Sequence, residues 1–174
     1  IGFGAAFILA IIAAAAGTWS CTKIVDATEV GIPTTNGKVG ESMQPGWHFT
    51  TPWTKVTTYS TRTNELSMLR AEDEGDKAKD DSIPVVAAGG GSMNVDLTVR
   101  WGLKPEKVKD LFFEYRTVDN IKDSLVRAQA RSIARDVFGT HTAEEGYSTE
   151  RGVISKEIED ELRERLEAKG IRFD

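Results

Sequence analysis

The sequence is poor in sulfur and imidazole chemistry: it holds one cysteine, Cys21, and two histidines, His48 and His141. One cysteine excludes an internal disulfide, and its place beside an apolar leader suits an inert or acylated thiol better than a pocket nucleophile. The histidines lie far apart with no second nitrogen or sulfur ligand nearby, so no zinc site and no cofactor are expected. Basic charge is not in excess. The formal balance is −5, which argues against a nucleic-acid partner held through phosphates. After Gly17 there is no long apolar run, and no internal repeat.

What is present begins with Ile1 to Gly17, IGFGAAFILAIIAAAAG, which contains no charge, amide or hydroxyl. As a helix it would extend roughly 25 Å, against a hydrocarbon core of about 30 Å. Thr18 and Trp19, or residues upstream of Ile1, close that gap. Trp19 and Lys23 follow where an interfacial aromatic and a snorkelling base belong. Gly2, Ala6, Ala10 and Ala14 recur every fourth residue, a small-residue face by which membrane helices pack closely; an alanine-rich helix also yields such a stripe by chance. A cleaved signal peptide would need a basic start, which is not visible. A lipoprotein cysteine would need a leucine and small residues where Thr18-Trp19-Ser20 stand. The single span, over residues 1–22, is the preferred reading.

The soluble part, about 150 residues, suffices for one domain or two small ones. It starts β-rich. Val30 and Ile32 alternate with Gly31 and Pro33, Asn36-Gly37 forms a turn, and Pro45-Gly46 turns into a strand that puts Trp47 and Phe49 on one side and His48 opposite. Pro52 ends that strand. Thr54 to Thr63 has the Thr, Val and Tyr content of a half-buried strand, and Leu66, Met68 and Leu69 extend the pattern. Arg70 to Ser82 is a charged break that reads as a solvated loop and does not fit a calcium-loop spacing. Beyond it, Ile83 to Ala88 and Ser92 to Leu103 flank Gly89-Gly90-Gly91 as a hairpin. Met93, Val95, Leu97, Val99 and Trp101 alternate with polar residues, and no helix follows the glycines to make a phosphate cradle.

Helices follow. Pro105 opens one whose apolar face is Val108, Leu111, Phe112 and Tyr115. Asp119 or Asn120 is the expected cap of a second, burying Ile121, Leu125, Ala128, Val126, Ala130, Ile133 and Val137 and ending at Gly139. Thr142 and Glu145 form a capping box. A last helix from about Ser148 carries Ile154, Ile158, Leu162 and Leu166 at four-residue spacing and closes at Gly170, before the strand Ile171-Arg172-Phe173.

The order of these elements, and several local patterns, resemble the SPFH family (stomatin, prohibitin, flotillin, band-7). The residues that carry the resemblance are Glu29-Val30-Gly31, Gln44-Pro45-Gly46-Trp47-His48-Phe49, Pro52 with Val56, Val95 to Trp101, Pro105-Glu106-Lys107-Val108, Arg127 to Arg135, and Arg151 to Gly170 with the closing Gly-Ile-Arg-Phe. The chain departs from the family at Gly89-Gly90-Gly91, where a short Asp-Gly is usual, in the enlarged acidic loop, and in lacking the family's long coiled coil within these residues. The resemblance implies an α+β fold: a transmembrane helix (1–22), an antiparallel β-rich part (23–82), then a β-hairpin with packed helices (83–174) that leads into a coiled coil.

It also implies a scaffold that oligomerises into a ring or cage on the bilayer, organises a lipid patch and encloses a membrane protease or other membrane protein. On that reading Gly2, Ala6, Ala10 and Ala14 pack the spans, and Trp19, Trp47, Phe49 and Trp53 meet the headgroups. Ile154, Ile158, Leu162 and Leu166 contact neighbouring copies, or else fold onto their own domain. The sequence does not fix which side of the bilayer holds the soluble domain, and the extracytoplasmic side is only slightly favoured. His48 is the one serious catalytic candidate, and no constellation surrounds it, so no enzyme is expected. The alternative is a monomeric tethered module whose acidic loop, Asp73 to Asp81, meets a basic partner.

Overall fold

The computed structural model describes residues 21–70, 75–77, 80–148 and 151–174. The chain divides into two compact units, Ile1–Thr61 and Arg62–Asp174. The span expected over residues 1–22, and with it Gly2, Ala6, Ala10, Ala14 and Trp19, lies outside the described residues up to Ser20. Thr22 opens a strand instead of closing a helix. Among the described residues no helix is long and apolar enough to cross a membrane.

The first unit is all β. Strands β1 (Thr22–Val25) and β4 (Gly46–Phe49) form an antiparallel ribbon, and β2 (Glu29–Thr35) lies between β3 (Lys38–Val39) and β5 (Thr54–Ser60). The turn from β2 to β3 falls on Asn36 and Gly37, both with positive φ, as a tight hairpin turn requires. Val25, Val30, Ile32 and Tyr59 make a small core. The hydroxyl of Thr54, almost buried, lies 2.7 Å from those of both Thr35 and Thr51, so its burial leaves no polar atom unmatched.

The second unit holds two more sheets. β9 (Leu97–Leu103) lies between β6 (Asn64–Met68) and β10 (Ile171–Phe173), while β7 (Ile83–Val86) pairs with β8 (Ser92–Val95). The expected boundary after residue 82 therefore falls after Thr61, because β6 is a partner of β9 in register from Asn64↔Trp101 to Met68↔Leu97. The long alternating run, expected as one strand, is broken at Asp96, where the chain changes partner from β7 to β6. The side-chain alternation survives the break: Val99 and Trp101 are buried, while Thr98 and Arg100 are exposed.

A 3₁₀ turn from Pro105 leads into α1 (Val108–Tyr115). The next helix is capped by Thr117, not by Asp119 or Asn120: the Asn120 amide donates to the Thr117 hydroxyl at 3.2 Å. A π-helical stretch, Ile121–Val126, then runs without a break into α2 (Arg127–Thr140), which passes the expected stop at Gly139 by one residue. The wider π turn rotates the residues that follow it. As a result Ala128, expected inside, is exposed, and Arg127 is buried in its place.

The short helix α3 (Ala143–Tyr147) carries the complete Thr142–Glu145 capping box. The last helix, α4 (Arg151–Ala168), ends at Gly170, whose φ of +84° and close approach to Lys107 leave no room for a side chain. An added Cβ would come within 2.5 Å of Lys107 Cβ. Ile154, Ile158, Leu162 and Leu166, expected as contacts between copies, are at most 5 % exposed. They are spent inside their own unit, where α4 packs on α2 and β10.

Candidate functional site

In an antiparallel pair, directly opposed residues share a face, and residues two apart in one strand do as well. On the β1–β4 ribbon Ile24 opposes Trp47 and Thr22 opposes Phe49. One face of this ribbon is therefore apolar, and it is bare: Ile24 is 60 %, Trp47 72 % and Phe49 84 % exposed. Trp53, at 64 %, stands in the turn that follows β4. Pro45-Gly46 fixes how β4 begins, with Gly46 at φ +133°, and the Thr50 amide donates to the Cys21 carbonyl at 2.7 Å, tying the far end of β4 to the start of β1. Of the four expected headgroup residues, three are described, and all three are exposed aromatics. Ile24 joins them; its place immediately before the buried Val25 gave no signal until its partner across the ribbon was known.

Leaving three aromatics and an isoleucine in water forgoes roughly 1.5–3 kcal/mol for each side chain that could be fully buried. A surface of this kind marks a lipid or protein contact. The opposite face carries His48, whose Nε2 lies 2.6 Å from the Gln44 carbonyl oxygen of its own turn.

A second concentration of chemistry lies in the second unit, and it was not foreseen. The acidic loop, expected as solvated, is bound down by an ion-pair network. Asp81, 3 % exposed, receives Arg127 and, at 2.6 Å, Arg131. Asp76 receives Arg127 at 2.7 Å and Lys122 at 3.0 Å, and Asp123 receives Arg127 Nε at 2.9 Å. Burial pushes the Arg127 guanidinium below its ordinary value, and Asp76 opposes that shift; hydrogen bonding to Asp76 raises Lys122. Asp80 accepts from the Ser82 hydroxyl at 2.6 Å and from its amide at 3.0 Å, which lowers its carboxyl. Asp76 and Asp81 thus spend their charge on cations of their own chain, whereas Asp80 is exposed and, among the described residues, holds only Ser82. Asp73 lies outside the described residues. An arginine among the apolar positions Val126, Ala130 and Ile133 was the signal available in the sequence.

His141 sits between two carboxylates, 2.9 Å from Glu157 and 3.5 Å from Glu145. The Glu157 hydrogen bond raises its pKa above 6.5, and that bond, with the weaker pull of Glu145, ties the α2–α3 junction to α4. Among the described residues neither histidine touches a serine, threonine or cysteine nucleophile, and no group of acidic, histidine or cysteine side chains could hold a metal. A nucleophile activated by histidine needs such a pairing.

A family model described as SPFH domain / Band 7 family matches residues 23–174. A protein of Mycobacterium tuberculosis named Protease Rv3090 is 28 % identical over 133 residues, which cover 75 % of this chain and 43 % of that protein. The chain thus spans less than half the length of that relative.

Proposed function

Since the chain belongs to the SPFH domain / Band 7 family, we propose that it is a membrane-anchored scaffold whose first unit lies against the bilayer. The observation that carries this reading is the bare face of Ile24, Trp47 and Phe49, with Trp53 in the next turn. Its first strand, β1, begins one residue after Cys21, shortly beyond the apolar leader. Aromatic side chains are at home in the headgroup layer, where the ring leaves water and any polar tip stays wet. The leader supplies the single span, and copies assemble through it and through adjacent soluble units into a closed ring or cage. Such a wall organises a lipid patch and holds a membrane protease or another membrane protein inside it. The name of the mycobacterial relative agrees with an association with proteolysis.

The test is flotation with vesicles. A soluble form starting at Cys21 should float with phosphatidylcholine–phosphatidylglycerol vesicles, and a Trp47→Ser, Phe49→Ser, Trp53→Ser variant should lose at least tenfold in partitioning with an unchanged circular dichroism spectrum. Equal flotation of the two would defeat the membrane-contact reading.

A further inference from the structure

A cleft of about 300 Å³ opens in the second unit between β8 and α4. Met93, Asn94, Val95, Asp96 and Leu97 line one wall without a gap. Successive side chains of a strand point to opposite faces, so Met93, Asn94 and Val95, lining the wall together, present the edge of β8 and not one of its faces. Among the described residues β8 pairs with β7 alone, and no other backbone hydrogen bond reaches Met93, Asn94 or Val95. Half of its N–H and C=O groups therefore point away from β7 without a strand to meet them.

The opposite wall is the helical stripe Arg151, Ile154, Ser155 and Ile158, and Phe138 adds an apolar surface. Gly146 keeps one end open: a Cβ there would stand 3.3 Å from the Phe138 ring and 3.6 Å from Met93. That contact puts the α3 end of the cleft, and Arg151 after it, beside the start of β8. Leu97 and Ile158 both line the neighbouring hollow toward Phe173, so they mark the other end. Arg151 and Ile158 are about 10 Å apart along the helix. The Arg151 side chain has no ion pair or hydrogen bond among the described residues. Asp96, at the far end, accepts from the Arg70 amide at 2.9 Å.

We propose that this cleft takes the free carboxyl terminus of an extended peptide, which adds to β8 as an antiparallel strand. The terminal carboxylate meets Arg151, for which a guanidinium offers two parallel donors. About three residues span the cleft at roughly 3.3 Å each, and their backbone pairs with the open edge of β8. An aliphatic side chain fills the space between Val95, Phe138 and Ile154. Asp96 repels a carboxylate placed at its end and so sets the direction of the strand. A fatty acid would satisfy Arg151 and the apolar wall but leave the strand edge unpaired, so the peptide accounts for more of the cleft. Backbone pairing supplies affinity and the pocket supplies selectivity in binding of this kind.

The probe is a fluorescein-labelled hexapeptide, Gly-Ser-Gly-Ser-Leu-Val, used with a free carboxyl terminus and as its amide, against the full chain in mild detergent. Fluorescence anisotropy should show saturable binding of the acid, weakened about tenfold or more by amidation and by Arg151→Ala, and less by Arg151→Lys. Ser155→Trp should block the cleft, and hydrogen exchange at residues 93–95 should slow when the acid binds. Both substituted residues are exposed, and if Ser155→Trp disturbs the circular dichroism spectrum the Arg151 pair decides alone. Equal binding of acid and amide, or no saturable binding, overturns the proposal. So does saturable binding of laurate without the peptide, or protection of residues 93–95 that rises with protein concentration, which would give the cleft to a lipid or to a second copy.

Discussion

Arg127 is a charged residue held on three sides. Its side chain is 5 % exposed and faces Asp76, Asp81 and Asp123 at once. Removing one member of a buried ion pair leaves a charge without compensation, which costs roughly 3–5 kcal/mol. Asp81 retains Arg131 and Asp76 retains Lys122, so Arg127→Ala should fall near the lower end, about 3 kcal/mol, read as a lower urea midpoint with the m-value unchanged. His141 gives a second prediction, with a sign. Its folded pKa lies above its ordinary 6.5 because of Glu157 first. The stability it adds is complete below that ordinary value and is lost as pH rises through the folded pKa. Wild type should therefore lose stability relative to His141→Gln on going from pH 6 to pH 8, in thermal melts at matched ionic strength. Identical pH slopes would mean that the imidazole contributes nothing to holding α4.

At the level of elements, local chemistry predicts well and partner choice does not. The Asn36-Gly37 turn, the capping box and the Gly170 stop were all legible, because each is decided by a few neighbouring residues. Thr142 both caps α3 and stands in the β-bridge with Ala88. Thr142→Ala should cost about 0.5–2 kcal/mol and speed hydrogen exchange at Glu145 ahead of the rest of the unit. Exchange unchanged at Glu145 would make the box ornamental. The break at Asp96 was hidden, because alternation fixes which face a residue takes but not which strand lies beside it. The fate of α4 was hidden likewise: a four-residue apolar stripe fits a neighbouring copy or its own domain equally well, and only the packing on α2 and β10 decided between them. The Arg127 network was hidden because a single inserted π turn exchanges the positions of Arg127 and Ala128. Of the candidate site, the exposed aromatics were legible from the Pro-Gly turn and its alternation, whereas Ile24 needed the register of the ribbon.

For the whole molecule, the prediction is one of mass. A closed scaffold extracted in mild detergent should run on the order of a megadalton, as many copies joined around an axis must; a particle of tens of kilodaltons would leave the family membership intact and remove the ring. The fold also bears on how each copy is made. β9 has one neighbour from residues 64–68 and the other from residues 171–173, whereas every strand of the first unit finds its partners by Ser60. Chains fold from the amino end as they leave the ribosome. The first unit can thus close while the second is still being translated, and the central sheet of the second waits for residues 171–173. The apolar face of Ile24, Trp47 and Phe49 is therefore in place before the second unit is.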